Sequence, residues 1–143
     1  MRKKIFIAGG GGMLGEGFYQ VFKDEYDLAI TDIDVNETWI SYLDFRNIDE
    51  YRKQVKEYNP DYLFHLGAHT SLEYCDTHQD DAYETNTIAV ENAVHISNEL
   101  NIPLLYISTA GIFIVLFERS KYFRYGYIHG FEAVRSYGYF ILL

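Results

Sequence analysis

Short apolar segments alternate along the chain with stretches in which apolar residues recur at helical spacing. The apolar segments, which predict strands, cover residues 3–8, 26–32, 62–66 and 103–108. The helical patterns run through Leu14, Phe18, Val21 and Phe22, through Ile48, Tyr51, Val55 and Tyr58, and through Ala82, Ala89, Ala93, Ile96 and Leu100. Strands that alternate with helices in this way predict an α/β fold with parallel strands and right-handed crossovers.

The ends of these elements are marked by residues that favour turns. Asn59-Pro60 ends the second helical pattern, and Thr77, followed by Asp80 and Asp81, predicts the start of the third, which runs to about Leu100. The succession predicts the first half of a doubly wound parallel sheet. Its four strands are expected in the order 3-2-1-4, in which residues 62–66 are the third strand.

A glycine-rich turn joins the first predicted strand to the first predicted helix. Gly9, Gly12 and Gly15 stand at the spacing G-x-x-G-x-x-G, directly after an apolar run. In this context the first glycine permits a tight turn, the second lets the backbone approach a pyrophosphate, and the third lets helix and strand pack closely. The motif predicts a dinucleotide site at the helix N-terminus, and a flexible turn without a ligand is the alternative.

An acidic residue follows the second predicted strand at the distance that such a site requires. Asp32 lies 23 positions after Gly9, and an acid about 20 residues past the glycines accepts hydrogen bonds from ribose hydroxyls. Asp34 is the second choice for this role, and an ordinary loop aspartate is the structural alternative. Residues 32–45 contain no lysine or arginine that could pair with a 2′-phosphate. The sequence therefore favours NAD over NADP.

Composition and charge narrow the classes of partner. The chain has 143 residues, 48% of them hydrophobic, and a formal net charge of −9. Nucleic acid and anionic membrane surfaces require clustered cations, so neither is an expected partner.

The one cysteine, Cys75, forms no internal disulfide, which is typical of a cytoplasmic protein. No apolar run reaches the ~20 residues of a membrane helix. His65 and His69 lack matching ligands and are expected to be core and loop residues rather than zinc ligands.

Taken in order, the motifs resemble the extended short-chain dehydrogenase/reductase family, and within it the dTDP-4-dehydrorhamnose reductases and their relatives. The motifs that carry the resemblance are Gly9 to Gly15, Asp32, Asp44, His65-Leu66-Gly67-Ala68, the run 67–76, Asn86 and the run 106–113. The likeness covers about residues 3–113. It implies a Rossmann-type sheet, a nicotinamide dinucleotide cofactor and hydride transfer to the keto group of a nucleotide-sugar.

The resemblance also implies roles for particular residues. The pyrophosphate would lie on Gly9, Gly12, Met13, Leu14 and Gly15, the ribose on Asp32, the adenine beside Asp44 and Phe45, and the cofactor along Gly67 and Ala68. Thr109 would help to polarise the substrate carbonyl. Such enzymes transfer the proton with a Tyr-x-x-x-Lys pair, whose spacing places both side chains on one helix face. Of the six lysines only Lys23 has a tyrosine, Tyr19, four positions before it, and this pair lies in the first predicted helix, directly after the glycine turn. Later in the chain the nearest match places Phe117 before Lys121.

The last part of the chain departs from the family. Residues 1–111 are expected to form the dinucleotide-binding domain, and residues 112–143 a divergent tail in which ten of 32 residues are Phe or Tyr. The tail is expected to reflect a shortened gene product or to serve as the missing side of the sheet or as a partner surface. The uncharged run 112–117 and an open sheet edge predict self-association. The sequence allows two functions, a reductase of nucleotide-sugar ketones that uses Thr109 and Lys121, and a catalytically silent NAD-binding module. A truncated α/β fragment without either function is the structural alternative.

Overall fold

A parallel sheet of six strands is the centre of the computed structural model, which describes residues 1–108 and 139–142. The strands are β1 (Lys4–Ala8), β2 (Asp27–Asp32), β3 (Ile40–Tyr42), β4 (Tyr62–His65), β5 (Leu104–Ser108) and β6 (Tyr139–Leu142). Their order is β3-β2-β1-β4-β5-β6, and every neighbouring pair is parallel. The chain therefore crosses from one side of β1 to the other between β3 and β4.

Helices connect the strands. They are α1 (Met13–Phe22), α2 (Ile48–Tyr58), α3 (Leu72–Thr77), α4 (Gln79–Tyr83) and α5 (Ala89–Leu100), with a π-helical turn at Glu84–Ile88 between α4 and α5. The Asn47 side chain caps the start of α2, and Asn59, in the left-handed conformation, ends it. Among the described residues, no helix combines the length and apolarity that spanning a bilayer demands.

The two faces of the sheet carry separate apolar clusters, as a doubly wound fold requires. Alternate residues of each strand point to opposite faces. On one face, Phe6 and Leu63 pack with Tyr51 and Val55 of α2 and with the buried stripe of α5. On the other face, Ile5, Ile7 and Ile30 pack against partly buried aromatic residues of α1. Helices on both faces confirm the predicted fold class.

The strand order 3-2-1-4 is confirmed, but the strands that occupy it differ from those predicted. The third place belongs to the short strand Ile40–Tyr42, which the sequence analysis did not identify, because three residues give too short a pattern. Tyr62–His65, predicted as the third strand, is the fourth and pairs with the other side of β1. Tyr139–Leu142 pairs with β5, so part of the predicted tail belongs to the sheet, and the count of about four strands was too low.

The helical segment before β5 is divided into more elements than predicted. The apolar pattern predicted one helix from about Thr77 to Leu100, whereas the structure places α4, the π-helical turn and α5 there and adds α3 before them. The N-cap of α4 is His78 rather than Thr77. A π-helical turn holds one extra residue and rotates the helix after it, so a single 3.6-residue period cannot describe both sides of the turn. The predicted stripe of Ala89, Ala93 and Ile96 is nevertheless buried.

His65 is a fully buried base at the end of β4. Its ring lies against Phe45, Tyr51 and Tyr106, and its Nδ1 is 3.3 Å from the Tyr51 hydroxyl oxygen. No described residue forms a hydrogen bond with its Nε2. Burial without a second partner penalises the imidazolium and lowers the pKa of His65 to about 4.

Folding stability is therefore expected to fall as the pH is lowered from 7 to 5. The unfolded chain takes up a proton at His65 near pH 6.5, whereas the folded chain does not do so until about pH 4. Acid thus favours the unfolded state, by about 2 kcal/mol at pH 5 relative to pH 7. Urea unfolding at both pH values measures the difference.

The matched variants for this measurement are His65→Leu, which removes the buried base, and His95→Leu, which removes an exposed one. The first is expected to abolish most of the loss between pH 7 and pH 5, and the second to leave it unchanged. An equal loss in the wild-type chain and in His65→Leu would contradict this assignment.

Candidate functional site

The glycine turn after β1 is held against the neighbouring strands. Gly9 adopts the left-handed conformation with φ of +77°, and the N–H groups of Gly9 and Gly10 both donate to the Thr31 carbonyl oxygen, at 2.9 and 3.0 Å. A Cβ on Gly9 would lie 2.2 Å from Gly67 Cα, so the turns after β1 and β4 touch through their backbones. A side chain at Gly9 would be both strained and excluded by the neighbouring turn.

The other two glycines of the motif have contrasting surroundings. A Cβ on Gly15 would lie 2.0 Å from the Gly10 carbonyl oxygen, so α1 can pack on the turn only with glycine at this position. A Cβ on Gly12 would meet no atom within 4 Å. Gly12 is the N-cap of α1, where no side chain caps the helix, and Met13 and Leu14 beside it are exposed. The turn therefore leaves open space in front of the first N–H groups of a helix, where anions bind.

Asp32 lies at the end of β2 and faces this turn. Its Oδ2 accepts the N–H of Gly11 at 2.8 Å, and its Oδ1 accepts the N–H of Asp34 at 3.0 Å. A Cβ on Gly11 would lie 2.8 Å from Asp32 Cγ, so the glycine at position 11 is also needed. A carboxylate offers about four acceptor positions, so Asp32 keeps capacity for a hydroxyl donor. The exposed Asp34 contributes its backbone here rather than its side chain.

Phe45, in the loop after β3, and Gly67, in the loop after β4, pack together and form the floor of the site. The Phe45 ring lies so close to Gly67 that a Cβ there would be 2.1 Å from Phe45 Cε1. The Phe45 side chain is 9% exposed and also packs on the His65 ring. A ligand could therefore contact Phe45 through its backbone but not through its buried ring. Ala68, by contrast, is exposed at the edge of the sheet.

A network of charged and aromatic side chains lies beside this floor. Arg46 donates through Nε and Nη2 to both Asp44 oxygens, at 2.9 and 2.7 Å, and through Nη1 to Asp81 Oδ1 at 2.6 Å. The other oxygen of Asp81 accepts the Tyr74 hydroxyl at 2.9 Å and lies 2.8 Å from His69 Nε2. The network thus joins the loop after β3, the loop after β4, α3 and α4.

These contacts lower the pKa values of the two acidic residues, Asp44 and Asp81, and so favour their ionised forms. The Arg46 guanidinium lowers the pKa of the Asp44 carboxyl, and the Tyr74 hydroxyl, with smaller help from His69 and Arg46, lowers the pKa of Asp81. The same hydrogen bond raises the pKa of Tyr74. Both aspartates are therefore ionised acceptors at neutral pH.

Asn86 fixes the loop after β4 from the π-helical turn. Its Oδ1 accepts the N–H of His69 at 2.8 Å, and its Nδ2 donates to the His69 carbonyl oxygen at 2.9 Å. The amide side chain thus pairs with one backbone unit as a neighbouring strand would. A π-helical turn is often found at functional sites, and here it places Asn86 against the segment that begins with Gly67 and Ala68.

The predicted site residues are thus brought together at the carboxyl edge of the sheet, with two exceptions. The turn 9–15, Asp32, Asp44, Phe45 and the pair Gly67-Ala68 follow β1, β2, β3 and β4 in turn. Thr109 and Lys121, predicted as catalytic, lie outside the described residues. Within residues 1–108 and 139–142, no three side chains of histidine, cysteine or acidic type could hold a metal ion together.

The sequence analysis assigned no role in the site to Arg46, Asp81, Tyr74 or Asn86. Arg46 and Asp81 are 35 positions apart, and no periodicity or motif links them. Asn86 was part of the resemblance but carried no role. Only the fold, which places the loops after β3 and β4 side by side, shows these contacts.

The amino-acid sequence matches a known family over most of its length. The family model described as RmlD substrate binding domain matches residues 2–120. A UDP-glucose 4-epimerase of Mycoplasma pneumoniae is 25% identical over 126 residues, which covers 78% of this chain and 37% of the relative. A dTDP-4-dehydrorhamnose reductase of Aggregatibacter actinomycetemcomitans is 24% identical over 110 residues, 77% of this chain and 36% of the relative.

Solved structures share the fold. A dTDP-4-dehydrorhamnose reductase from Bacillus anthracis, in complex with NADP, has a TM-score of 0.77 at 24% identity and covers 99% of this chain and 52% of its own. The Bordetella bronchiseptica enzyme WbmG, in complex with NAD, has a TM-score of 0.77 at 13% identity with the same coverage.

The chain spans between about a third and a half of the length of these proteins. The family model, however, covers well over half of the chain itself. The protein therefore belongs to the RmlD substrate binding domain family.

Proposed function

We propose that the chain binds a nicotinamide dinucleotide at the carboxyl edge of its sheet and is the cofactor-binding part of a reductase of nucleotide-sugar ketones. The observation that carries the proposal is the turn 9–15, which packs tightly at Gly9 and Gly15 yet leaves open space at Gly12. That combination allows a pyrophosphate to reach the backbone at the N-terminus of α1. The curated reductase relative and the NADP-bound and NAD-bound neighbours support the cofactor class.

In this proposal the chain's own residues bind and orient the cofactor, whose nicotinamide supplies the hydride. The first N–H groups of α1 stabilise the pyrophosphate charge, so no lysine is needed there. Asp32 accepts hydrogen bonds from the adenosine ribose, and the loop after β3 lies beside the adenine. Asn86 holds the loop that contains Gly67 and Ala68, along which the cofactor extends. Thr109, by resemblance, polarises the substrate carbonyl.

A second function, a dinucleotide-binding module without turnover, is favoured by one feature of the sequence. The one Tyr-x-x-x-Lys spacing in the sequence, Tyr19 to Lys23, lies at the end of α1, where Tyr19 stacks on Trp39. After β5 the nearest match has Phe117 before Lys121, so the usual proton donor of the extended short-chain dehydrogenases/reductases has no counterpart there. NADH binding measured by fluorescence separates both functions from a chain that binds no cofactor. Turnover of a dTDP-4-keto sugar separates the reductase from the module.

NADH is expected to bind more tightly than NADPH. Asp32 would repel a 2′-phosphate, and Arg46, the first cation after it, is already paired with Asp44 and Asp81. Replacing Asp32 by Asn removes the charge and is expected to weaken NADH binding by roughly tenfold or more, since a hydrogen bond to a charged group contributes about 1.5–3 kcal/mol. Titration of both cofactors against the wild-type chain and this variant measures the preference.

Asp34→Asn is the comparison variant for that titration. Asp34 is the second choice for the ribose by sequence, but in the structure its side chain is exposed and only its backbone N–H contacts Asp32. This variant is expected to leave the ratio of the two affinities unchanged. Tighter binding of NADPH by the wild-type chain would overturn the assignment of Asp32 to the ribose.

The 143-residue chain alone is expected to reduce a dTDP-4-keto sugar far more slowly than a complete reductase. Without a positioned general acid the rate falls by about 10²–10⁴-fold, and Phe117 carries no hydroxyl to donate. Phe117→Tyr is expected to restore little activity by itself, because the chain spans only about half of the length of the neighbouring reductase and orientation of the substrate contributes about 7–11 kcal/mol in favourable cases. Oxidation of NADH by the keto sugar measures turnover, after NADH binding has been verified in the same preparation.

Turnover at the rate of a complete reductase by the unmodified chain would contradict this expectation. It would point to another proton donor in the sequence, and Tyr122→Phe and Tyr125→Phe would then identify it.

A further inference from the structure

A cleft lies at the amino edge of the sheet, where the strands begin, and the proposed function gives it no role. Its volume is about 470 Å³, and it is formed by the start of the chain, the start of β1, the end of α1 and the start of β2. Its lining residues are Met1, Arg2, Lys4, Tyr19, Lys23, Tyr26, Asp27 and Leu28. Clefts of several hundred Å³ are of the size that holds small organic ligands.

The cleft is rich in cations that no carboxylate neutralises. Arg2, Lys4 and Lys23 line it, whereas Asp27 is the one acidic side chain of the lining. Within residues 1–108 and 139–142, none of these three cations forms a salt bridge, while every lysine and arginine of α2 and of the loop before it pairs with a carboxylate. In a chain with a net charge of −9, a cluster of unpaired cations around a cleft favours an anionic ligand.

Two of the cations are held in place by neutral groups. Lys23 Nζ donates to Gln20 Oε1 at 2.8 Å and lies 5.4 Å from the centre of the Tyr19 ring. Lys4 Nζ donates to the Tyr58 carbonyl oxygen at 3.1 Å and lies 5.0 Å from the centre of the Tyr58 ring. An ammonium group has three N–H donors. Each lysine is therefore positioned by its contacts and keeps N–H groups for an anion.

The rest of the lining offers surfaces for a planar, partly apolar group. Tyr19 stacks on Trp39, with 4.3 Å between the ring centres and 5° between the planes. Tyr26 packs edge to face on Phe22, and Leu28 is half-buried. Cations that bind phosphate, combined with aromatic rings that contact a base, are typical of sites for nucleotides.

We propose that this cleft binds a nucleoside diphosphate at a site separate from that of the dinucleotide. Arg2, Lys4 and Lys23 stabilise the phosphates, and the tyrosine rings and Leu28 contact the base. A nucleic-acid strand is a poorer ligand, because it would extend beyond the cleft along a chain whose net charge is −9. The inference does not depend on the proposed function, which concerns the opposite edge of the sheet.

The test uses Trp39, the single tryptophan of the chain, whose stack on Tyr19 makes its fluorescence a reporter of the cleft. GDP is the probe, because guanine is absent from nicotinamide dinucleotides. GDP is expected to change the fluorescence saturably and to bind about tenfold more tightly than inorganic pyrophosphate, since the base adds stacking contacts. Calorimetric titration gives the same affinities without a reporter.

Saturating NAD⁺ is expected to leave the affinity for GDP unchanged, because the two sites lie at opposite edges of the sheet. A chain that binds GDP but not NAD⁺ would overturn the proposed function and support this inference. Loss of GDP binding in the presence of NAD⁺ would assign GDP to the glycine turn and overturn the inference.

The variants change the charge of the cleft in both directions. Lys23→Gln is expected to weaken GDP binding by about three- to tenfold, and its combination with Arg2→Gln by at least about tenfold. Asp27→Asn removes the opposing charge and is expected to strengthen binding. Lys53→Gln is the matched control, since Lys53 is an exposed lysine of α2 outside the cleft, and it is expected to keep the wild-type affinity. Thermal unfolding verifies that each variant is folded.

Four further results would overturn the inference. The first is the absence of both a fluorescence change and calorimetric heat with GDP. Equal weakening by Lys23→Gln and Lys53→Gln would show attraction by surface charge alone. Equal affinities for GDP and pyrophosphate would exclude a contact with the base. Tighter binding of a single-stranded oligonucleotide than of GDP would make the cleft part of a nucleic-acid surface.

Discussion

The backbones of Gly9 and Gly67 lie in direct contact, and the arrangement of the carboxyl edge of the sheet depends on this contact. A Cβ on Gly9 would be 2.2 Å from Gly67 Cα, and one on Gly67 would be 2.1 Å from the Phe45 ring. The turns after β1 and β4 can therefore meet only through glycine. Because these strands lie at the point where the chain changes direction in the sheet, their contact forms the floor of the crevice in which ligands of such folds bind.

The acidic residues around this crevice show how a chain with a net charge of −9 can be suited to an anionic cofactor. Asp32 is bonded to the N–H of Gly11, and Asp44 and Asp81 share Arg46. These carboxylates serve as acceptors that orient loops and are available to amino and hydroxyl donors. In the proposed site, the positive potential for phosphate would come instead from the N-terminus of α1, a helix without a basic side chain of its own. The negative charge of the aspartates and the positive potential of the α1 N-terminus thus lie at different places along the carboxyl edge of the sheet.

The sequence alone was sufficient to predict the helices that have a periodic apolar pattern and the turn that requires glycine. The spacing of Gly9, Gly12 and Gly15 identified the turn, and the helical stripes of α2 and α5 identified much of the buried core. The three-residue strand Ile40–Tyr42 and the π-helical turn at Glu84–Ile88 escaped prediction because neither produces a periodic pattern. The network around Arg46 escaped because its members are distant in sequence and meet only after the sheet has formed.

The central claim, that the turn before α1 holds a pyrophosphate, is tested most directly by comparing Gly12→Ala with Gly17→Ala. Neither added Cβ meets an atom within 4 Å, so both variants are expected to fold, and a methyl group on Gly17 lies on α1 away from the turn. NADH affinity measured by fluorescence titration is expected to fall by about tenfold or more in Gly12→Ala, where the backbone approaches the phosphates, and to stay unchanged in Gly17→Ala. Wild-type affinity in a folded Gly12→Ala variant would contradict the account.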